Sequence, residues 1–127
     1  MKEYVSWEDV TNFVEKIWEL CTISNVSGVY GVPRGGLVLA VLISYALNVP
    51  FLNAPCKNCI IVDDICDSGE TLLHYYKNSS GDGKKNYYLV TMYYKENDLG
   101  VKPDLYIKNK KDKWIVFPWE FSELIGG

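Results

Sequence analysis

The chain has 127 residues, 48% hydrophobic and 23% charged, with a formal net charge of -3, which fits one globular domain spanning 1–127 and excludes a second full one. No apolar stretch approaches the roughly 20 residues of a membrane span, and Met1 to Tyr4 lacks the apolar segment of a secretory signal, so a cytoplasmic location is expected. There the four cysteines should stay reduced, and the mild negative charge argues against nonspecific nucleic-acid binding.

In chain order, Ser6-Trp7-Glu8-Asp9 reads as a helix N-terminus, with Ser6 as cap and two acids facing the positive end of the helix dipole. Val10, Phe13, Val14, Ile17, Trp18 and Cys21 follow at helical spacing. Val29-Tyr30-Gly31-Val32 reads as a short buried strand, broken by Pro33-Arg34-Gly35-Gly36. Leu37 to Leu47 is apolar almost all round, which predicts a buried helix, ended by Asn48-Val49-Pro50. Phe51-Leu52-Asn53 reads as a second short strand. Ile60-Ile61-Val62 is a β-branched run that stops at Asp63-Asp64, and a helix is predicted from near Glu70 to just before Asn78. The stretch 78–83 has the composition of a surface loop. Tyr87 to Tyr93 is a convincing strand, Leu105-Tyr106-Ile107 a weaker one, and Trp114-Ile115-Val116-Phe117 another. Strands that alternate with helices and are apolar throughout predict an α/β fold, a mostly parallel central sheet flanked by helices on both faces. In such sheets ligands bind beyond the carboxyl ends of the strands.

Three constellations lie at those ends. In the first, a buried strand runs through Asp63-Asp64 into Ile65-Cys66-Asp67-Ser68-Gly69-Glu70-Thr71 and opens a helix. Ser68, Gly69 and Thr71 offer hydroxyls and unhindered backbone N–H groups at a helix N-terminus, which suits an anion. The adjacent carboxylates suit sugar hydroxyls or a hard cation. An acidic strand end before a capped helix is the plain alternative. The second is Pro33-Arg34-Gly35-Gly36, where the glycines permit close approach of the backbone. Arg34 is the single arginine of the chain and can fork onto phosphate oxygens where an ammonium cannot. The third pairs Lys95 with Trp114-Ile115-Val116-Phe117-Pro118-Trp119-Glu120, an ammonium able to donate to a ring carbonyl and an indole able to stack on a flat base.

The first segment closely resembles the motif by which type I phosphoribosyltransferases bind 5-phosphoribosyl 1-diphosphate (PRPP); Cys66 is the odd residue within it. The resemblance to the xanthine-guanine and hypoxanthine members runs nearly end to end and implies a minimal version of their fold with a small C-terminal base-binding hood. It implies that Asp63 and Asp64 bind the ribose hydroxyls directly or through Mg²⁺, and that Asp67, Ser68, Gly69, Glu70 and Thr71 wrap the 5′-phosphate, Glu70 through its backbone alone. Arg34 and Gly35 would hold pyrophosphate, in a loop that in this family often contains a cis peptide. Lys95 would read the purine O6 and Trp114 stack on the ring, with the Ile115 backbone and Glu120 near C2. Asp67, aided by Asp63 and Asp64, would carry the catalysis. The implied activity is phosphoribosyl transfer to a 6-oxopurine in purine salvage, with PRPP and the base as small-molecule partners and no membrane or nucleic acid. The tyrosine pairs Tyr75-Tyr76, Tyr87-Tyr88 and Tyr93-Tyr94 suggest a homodimer or higher homo-oligomer.

One departure stands out. The stretch between Arg34 and Asp63 is too short for the helix, strand and mobile lid with which the family closes over PRPP, so the lid is expected to be shortened or missing. The alternative function is therefore a weakly catalytic or non-catalytic PRPP-binding regulatory protein. Cys56-Lys57-Asn58-Cys59 has zinc-type spacing but no second pair, and His74 is the only histidine, in the helix after the phosphate loop. Lys108, Lys110, Lys111 and Lys113 read as a solvated hairpin.

Overall fold

A computed structural model describes residues 1–21, 25–77 and 87–126, so the stretch 78–83 lies outside the described residues. Its elements are β1 (Lys2–Tyr4), α1 (Trp7–Cys21), β2 (Val29–Gly31), α2 (Leu37–Leu47), β3 (Phe51–Leu52), β4 (Cys59–Cys66), α3 (Glu70–Lys77), β5 (Tyr87–Tyr94), β6 (Lys108–Asn109), β7 (Trp114–Val116) and α4 (Phe121–Gly126). The main sheet has the order β3-β2-β4-β5-β6, with each neighbouring pair parallel. None of the described helices is long and apolar enough to cross a membrane.

The central strand β4 is apolar on both sides because both of its faces are covered. Side chains alternate along a strand. Ile60 and Val62 therefore join a core with Val10, Phe13 and Ile17 of α1 and Leu39, Ala40 and Ile43 of α2. Cys59 and Ile61 point the other way, into a second cluster with Leu72 of α3, Leu89 and Val101, which Cys66 joins at the end of the strand, where the alternation breaks. Helices thus flank both faces, as the pattern predicts.

The start of α1 is set by a reciprocal cap. The Asp9 N–H donates to Ser6 Oγ (3.0 Å) and the Ser6 N–H donates to Asp9 Oδ2 (2.9 Å).

Several expectations need correction. The strand of the acidic pair does not stop at Asp63-Asp64 but continues to Cys66, because Ile65 and Cys66 still pair with Tyr93 and Tyr94. Leu105 makes only an isolated bridge to Val90, and the strand lies at Lys108–Asn109 instead, against Tyr93 and Tyr94. Helix α2 is buried on one side only. Leu39, Ala40 and Ile43 face the core, but Val41 is exposed and Tyr45 is 84% exposed, since sheet and α1 leave a third side open. The hood is not purely C-terminal either: β7 pairs in parallel with β1, from the other end of the chain. The helix and short strand expected after Arg34 are both present as α2 and β3, and the lid is reduced, as expected. The six residues 53–58 form a turn whose Lys57 and Asn58 carbonyls accept from Ser27 Oγ (2.7 Å) and the Ser27 N–H (3.1 Å). Ser27 precedes β2, so this turn sits at the amino edge of the sheet, away from the edge where ligands bind.

The hood is fastened by a buried-side charge. Glu3 accepts from the Tyr93 hydroxyl (2.7 Å) and pairs with Lys113 (3.1 Å) and Lys108 (3.3 Å). The tyrosine hydrogen bond, then the two lysines, hold the Glu3 carboxyl down to about 2. A depressed carboxylate adds stability above its unfolded pKa, near 4.5, and loses it as pH falls towards 2. Glu3→Gln should therefore melt below wild type at pH 7, by about 1–2 kcal/mol, and thermal unfolding should show that gap closing between pH 4.5 and pH 2. A gap independent of pH would remove the assignment.

Candidate active site

Because β2, β4, β5 and β6 are parallel, the residues that follow them emerge at one edge. After β2, the chain turns through Pro33 and Arg34, with a cis Pro33–Arg34 peptide, and enters α2 once the Gly36 N–H has bonded Val32 O (2.8 Å). Arg34, Gly35 and Asp64 line a cleft of about 800 Å³ with Leu37, Trp119 and Glu120. Gly35 packs directly on the end of β4: a β-carbon there would land on the Asp64 carboxylate. The pyrophosphate and ribose candidates are thus in contact through a residue that must lack a side chain.

The acidic pair lies within the strand, not after it. Asp63 is 9% exposed, its Oδ1 accepting the Asp64 N–H (2.8 Å), while Asp64 Oδ1 accepts the Ile65 N–H (2.7 Å). Burial, and then the neighbouring Asp64 charge, push the Asp63 carboxyl well above the usual range. A hard cation would relieve that strain on the charged form, and two carboxylate oxygens are what Mg²⁺ takes from a protein when a phosphorylated substrate and water supply the rest. The pair fits the ion in that sense.

The loop from Asp67 to Thr71 opens α3. Ser68 Oγ accepts the Glu70 N–H (3.3 Å), and Gly69 takes a left-handed conformation (φ +85°) under the Asn97 side chain. Ser68, Gly69 and Thr71 border a small hollow of about 160 Å³ with Ile65, Cys66, Asp67 and Leu72. Glu70 does not line it; it borders a neighbouring cleft of about 510 Å³ shared by Asp67, Ser68, Lys95 and the segment 96–99. Cys66 faces the second core cluster, where burial pushes its thiol up to about 11, so it is part of the packing beneath the loop.

The purine candidates divide between two clefts. Lys95 shares the second cleft with Asp67, its N–H bonded to Cys66 O (2.8 Å) and its ammonium 3.2 Å from Asp112. Glu120 lines the first, its carboxyl pushed up by burial against the pull of the Phe117 N–H and Arg34. Trp114 opens β7, 59% exposed, and Ile115 beside it is buried; neither lines these clefts. His74 is exposed on α3, with its ring edge-on to Tyr75, and Cys56 is exposed while Cys59 is buried.

Trp119, part of the third constellation but given no role there, stacks on Phe117 at 4.9 Å and walls the first cleft. Lys110, expected to be solvated, reaches Asp67 Oδ2 at 3.1 Å. Only the parallel pairing of β6 beside β5 could have pointed to it.

No protein-family model matches the chain. A curated xanthine-guanine phosphoribosyltransferase from Chromohalobacter salexigens is 23% identical over 140 residues, covering 93% of this chain and 83% of that protein. Among solved structures, a purine phosphoribosyltransferase from Pyrococcus horikoshii superposes with a TM-score of 0.77 at 28% identity, covering 94% of each chain. A Helicobacter pylori xanthine-guanine-hypoxanthine phosphoribosyltransferase gives 0.75 at 23% identity over 100% of each. The chain has the type I phosphoribosyltransferase fold and resembles, over nearly its whole length, the purine-specific members of that family.

Proposed function

We propose that the chain transfers the 5-phosphoribosyl group from PRPP to a 6-oxopurine, giving the nucleoside 5′-monophosphate and pyrophosphate. The observation that carries this reading is the continuity of β4. One strand presents Asp63 and Asp64, with Gly35 packed on Asp64, and then delivers Asp67 to Thr71 to a helix N-terminus. Phosphate, ribose and pyrophosphate groups would thereby find partners along one strand and the loops at its end.

In this reading the backbone N–H groups and hydroxyls of residues 68–71 hold the 5′-phosphate. Asp63 and Asp64 hold the ribose hydroxyls, and Arg34 with the Gly35 backbone holds the pyrophosphate. Purine N9 attacks C1′ as the bond from C1′ to the pyrophosphate oxygen breaks, the electron pair leaving with pyrophosphate. The carboxylates stabilise the oxocarbenium character that develops on the ribose, and Asp67 takes the proton released from purine N7. Mg²⁺, held by Asp63 and Asp64 with the substrate, would supply charge neutralisation at the departing pyrophosphate. Lys95 donates to O6, and Trp114 offers the stacking face. The specific base is set near C2, beside Glu120 and the Ile115 backbone.

The turn at residues 53–58, pinned to the amino edge of the sheet, favours a second reading, a PRPP-binding regulatory protein with little turnover, because no lid there can exclude water. A pyrophosphate-release assay with PRPP and Mg²⁺, supplying guanine, xanthine, hypoxanthine or adenine separately beside a no-base control, separates the two. Release that depends on a 6-oxopurine and yields the matching nucleotide is the expected result. PRPP binding by calorimetry without release would favour the regulatory reading, and no binding would remove both.

Two substitutions probe the parts. Asp67→Asn should lower kcat by about 100-fold with the PRPP affinity within about threefold; an unchanged rate would remove Asp67 from the chemistry. Gly35→Ala should fold, since the displaced group is the end of a side chain, yet weaken PRPP binding by about tenfold or more. Calorimetric affinity equal to wild type would contradict the role given to the Gly35–Asp64 contact in binding PRPP.

A further inference from the structure

Among Lys108, Lys110 and Lys113, in β6 and the turn after it, Lys110 alone is withdrawn from water. Its side chain is 13% exposed, against 61% for Lys108 and 42% for Lys113, and its Nζ lies 3.1 Å from Asp67 Oδ2. Its backbone is fixed as well. The Lys110 N–H donates to Tyr94 O (2.8 Å), its carbonyl accepts from the Lys113 N–H (3.3 Å), and the Lys111 N–H donates to Asn109 Oδ1 (2.9 Å). Removing an ammonium from water is favourable only when a counter-charge is held in place for it. Here the counter-charge is the carboxylate at the mouth of the phosphate loop.

The register accounts for the meeting. Lys110 follows β6 directly, as Lys95 follows β5 and Asp67 follows β4. These strands are parallel neighbours, so the three residues stand in a row along one edge. Lys95 is already engaged by Asp112 (3.2 Å), leaving Lys110 as the cation on Asp67. Asp67 is itself 51% exposed, and an aspartate so open to water samples several rotamers when nothing holds it. A donor on Oδ2 selects one orientation and leaves Oδ1 free to accept from a ligand.

We propose that Lys110 is a positioning residue for Asp67, holding Oδ2 so that Oδ1 faces the N7 proton of the base; this rests on the transferase reading above. The pair acts through geometry: a carboxylate off by an ångström is a poor proton acceptor even where the charge is intact.

The test is a steady-state comparison of wild type with Lys110→Met, Lys110→Gln, Lys110→Arg, Lys111→Met, Asp67→Asn and the Asp67→Asn/Lys110→Met double variant, each checked for folding by thermal unfolding. Lys110→Met and Lys110→Gln should lower kcat about 10–100-fold with KM for PRPP within about threefold, because the loss falls on the chemical step alone. Lys110→Gln carries the test if Lys110→Met does not fold. Lys111→Met removes the same charge from the same turn, at an exposed residue with no Asp67 contact, and should stay within about twofold of wild type. Lys110→Arg should recover most of the loss, since a guanidinium also donates to one carboxylate oxygen. In the Asp67→Asn background, Lys110→Met should cost less than about twofold. A wild-type rate in Lys110→Met, or an equal loss in both backgrounds, would overturn the inference while leaving the transferase reading intact. Absence of 6-oxopurine-dependent release in wild type would overturn that reading and this inference with it.

Discussion

Parallel pairing of β4 with β2 and β5 is the constraint on which the rest of the molecule depends. It sends Arg34, Asp67, Lys95 and Lys110 out of the sheet at the same edge, though they come from four separate stretches of sequence. It also requires both faces of β4 to be covered, which is why its residues are apolar in an unbroken run. Burying Ile60, Ile61 and Val62 completely stabilises the fold by about 1.5–3 kcal/mol per side chain. Asp63 is nearly buried on the same strand, where burial and the neighbouring Asp64 charge favour its neutral carboxyl. The same strand therefore anchors the core and carries the acidic pair.

Charge organisation around the hood follows the same economy. Glu3 draws Tyr93, Lys108 and Lys113 together and so joins the start of the chain to the segment leading into β7. Two residues of that segment turn the other way: Lys110 to Asp67 and Asp112 to Lys95. A single short turn thus connects the hood to the groups at the mouth of the second cleft. With residues 53–58 tied to the far edge of the sheet, this turn is the stretch of chain beside the base-reading candidates that the fold keeps in place by backbone and side chain together.

Much of this was legible in the sequence where the signal is local. The Ser6–Asp9 cap, the helix beginning at Glu70, and the passage from an apolar strand through two acids to a Gly-containing loop each depend on residues within a few positions of one another. The resemblance carried by that passage led correctly to the fold. What could not be read depends on distant pairing. Lys2-Glu3-Tyr4 has no apolar pattern and becomes a strand only because Trp114–Val116 lies beside it. Lys108–Asn109 is two residues long and polar, so nothing in its composition separates it from a solvated turn. Lys110 was misread for that reason. Helix α2 shows a different limit, since uniform apolarity reports how much surface could be covered and not which side has a neighbour; Tyr45 stays in water.

The central claim is that the carboxyl edge of the main sheet, together with the β1-β7 hood, binds the parts of a phosphoribosylated purine. It is tested most directly by a crystal structure of the chain with guanosine 5′-monophosphate and Mg²⁺. The account predicts the 5′-phosphate in the loop of residues 67–71, the ribose hydroxyls on the side of Asp63 and Asp64, and the base beside Lys95 with N7 towards Asp67. A nucleotide bound with its phosphate away from that loop, or with its ribose turned from the acidic pair, would contradict it.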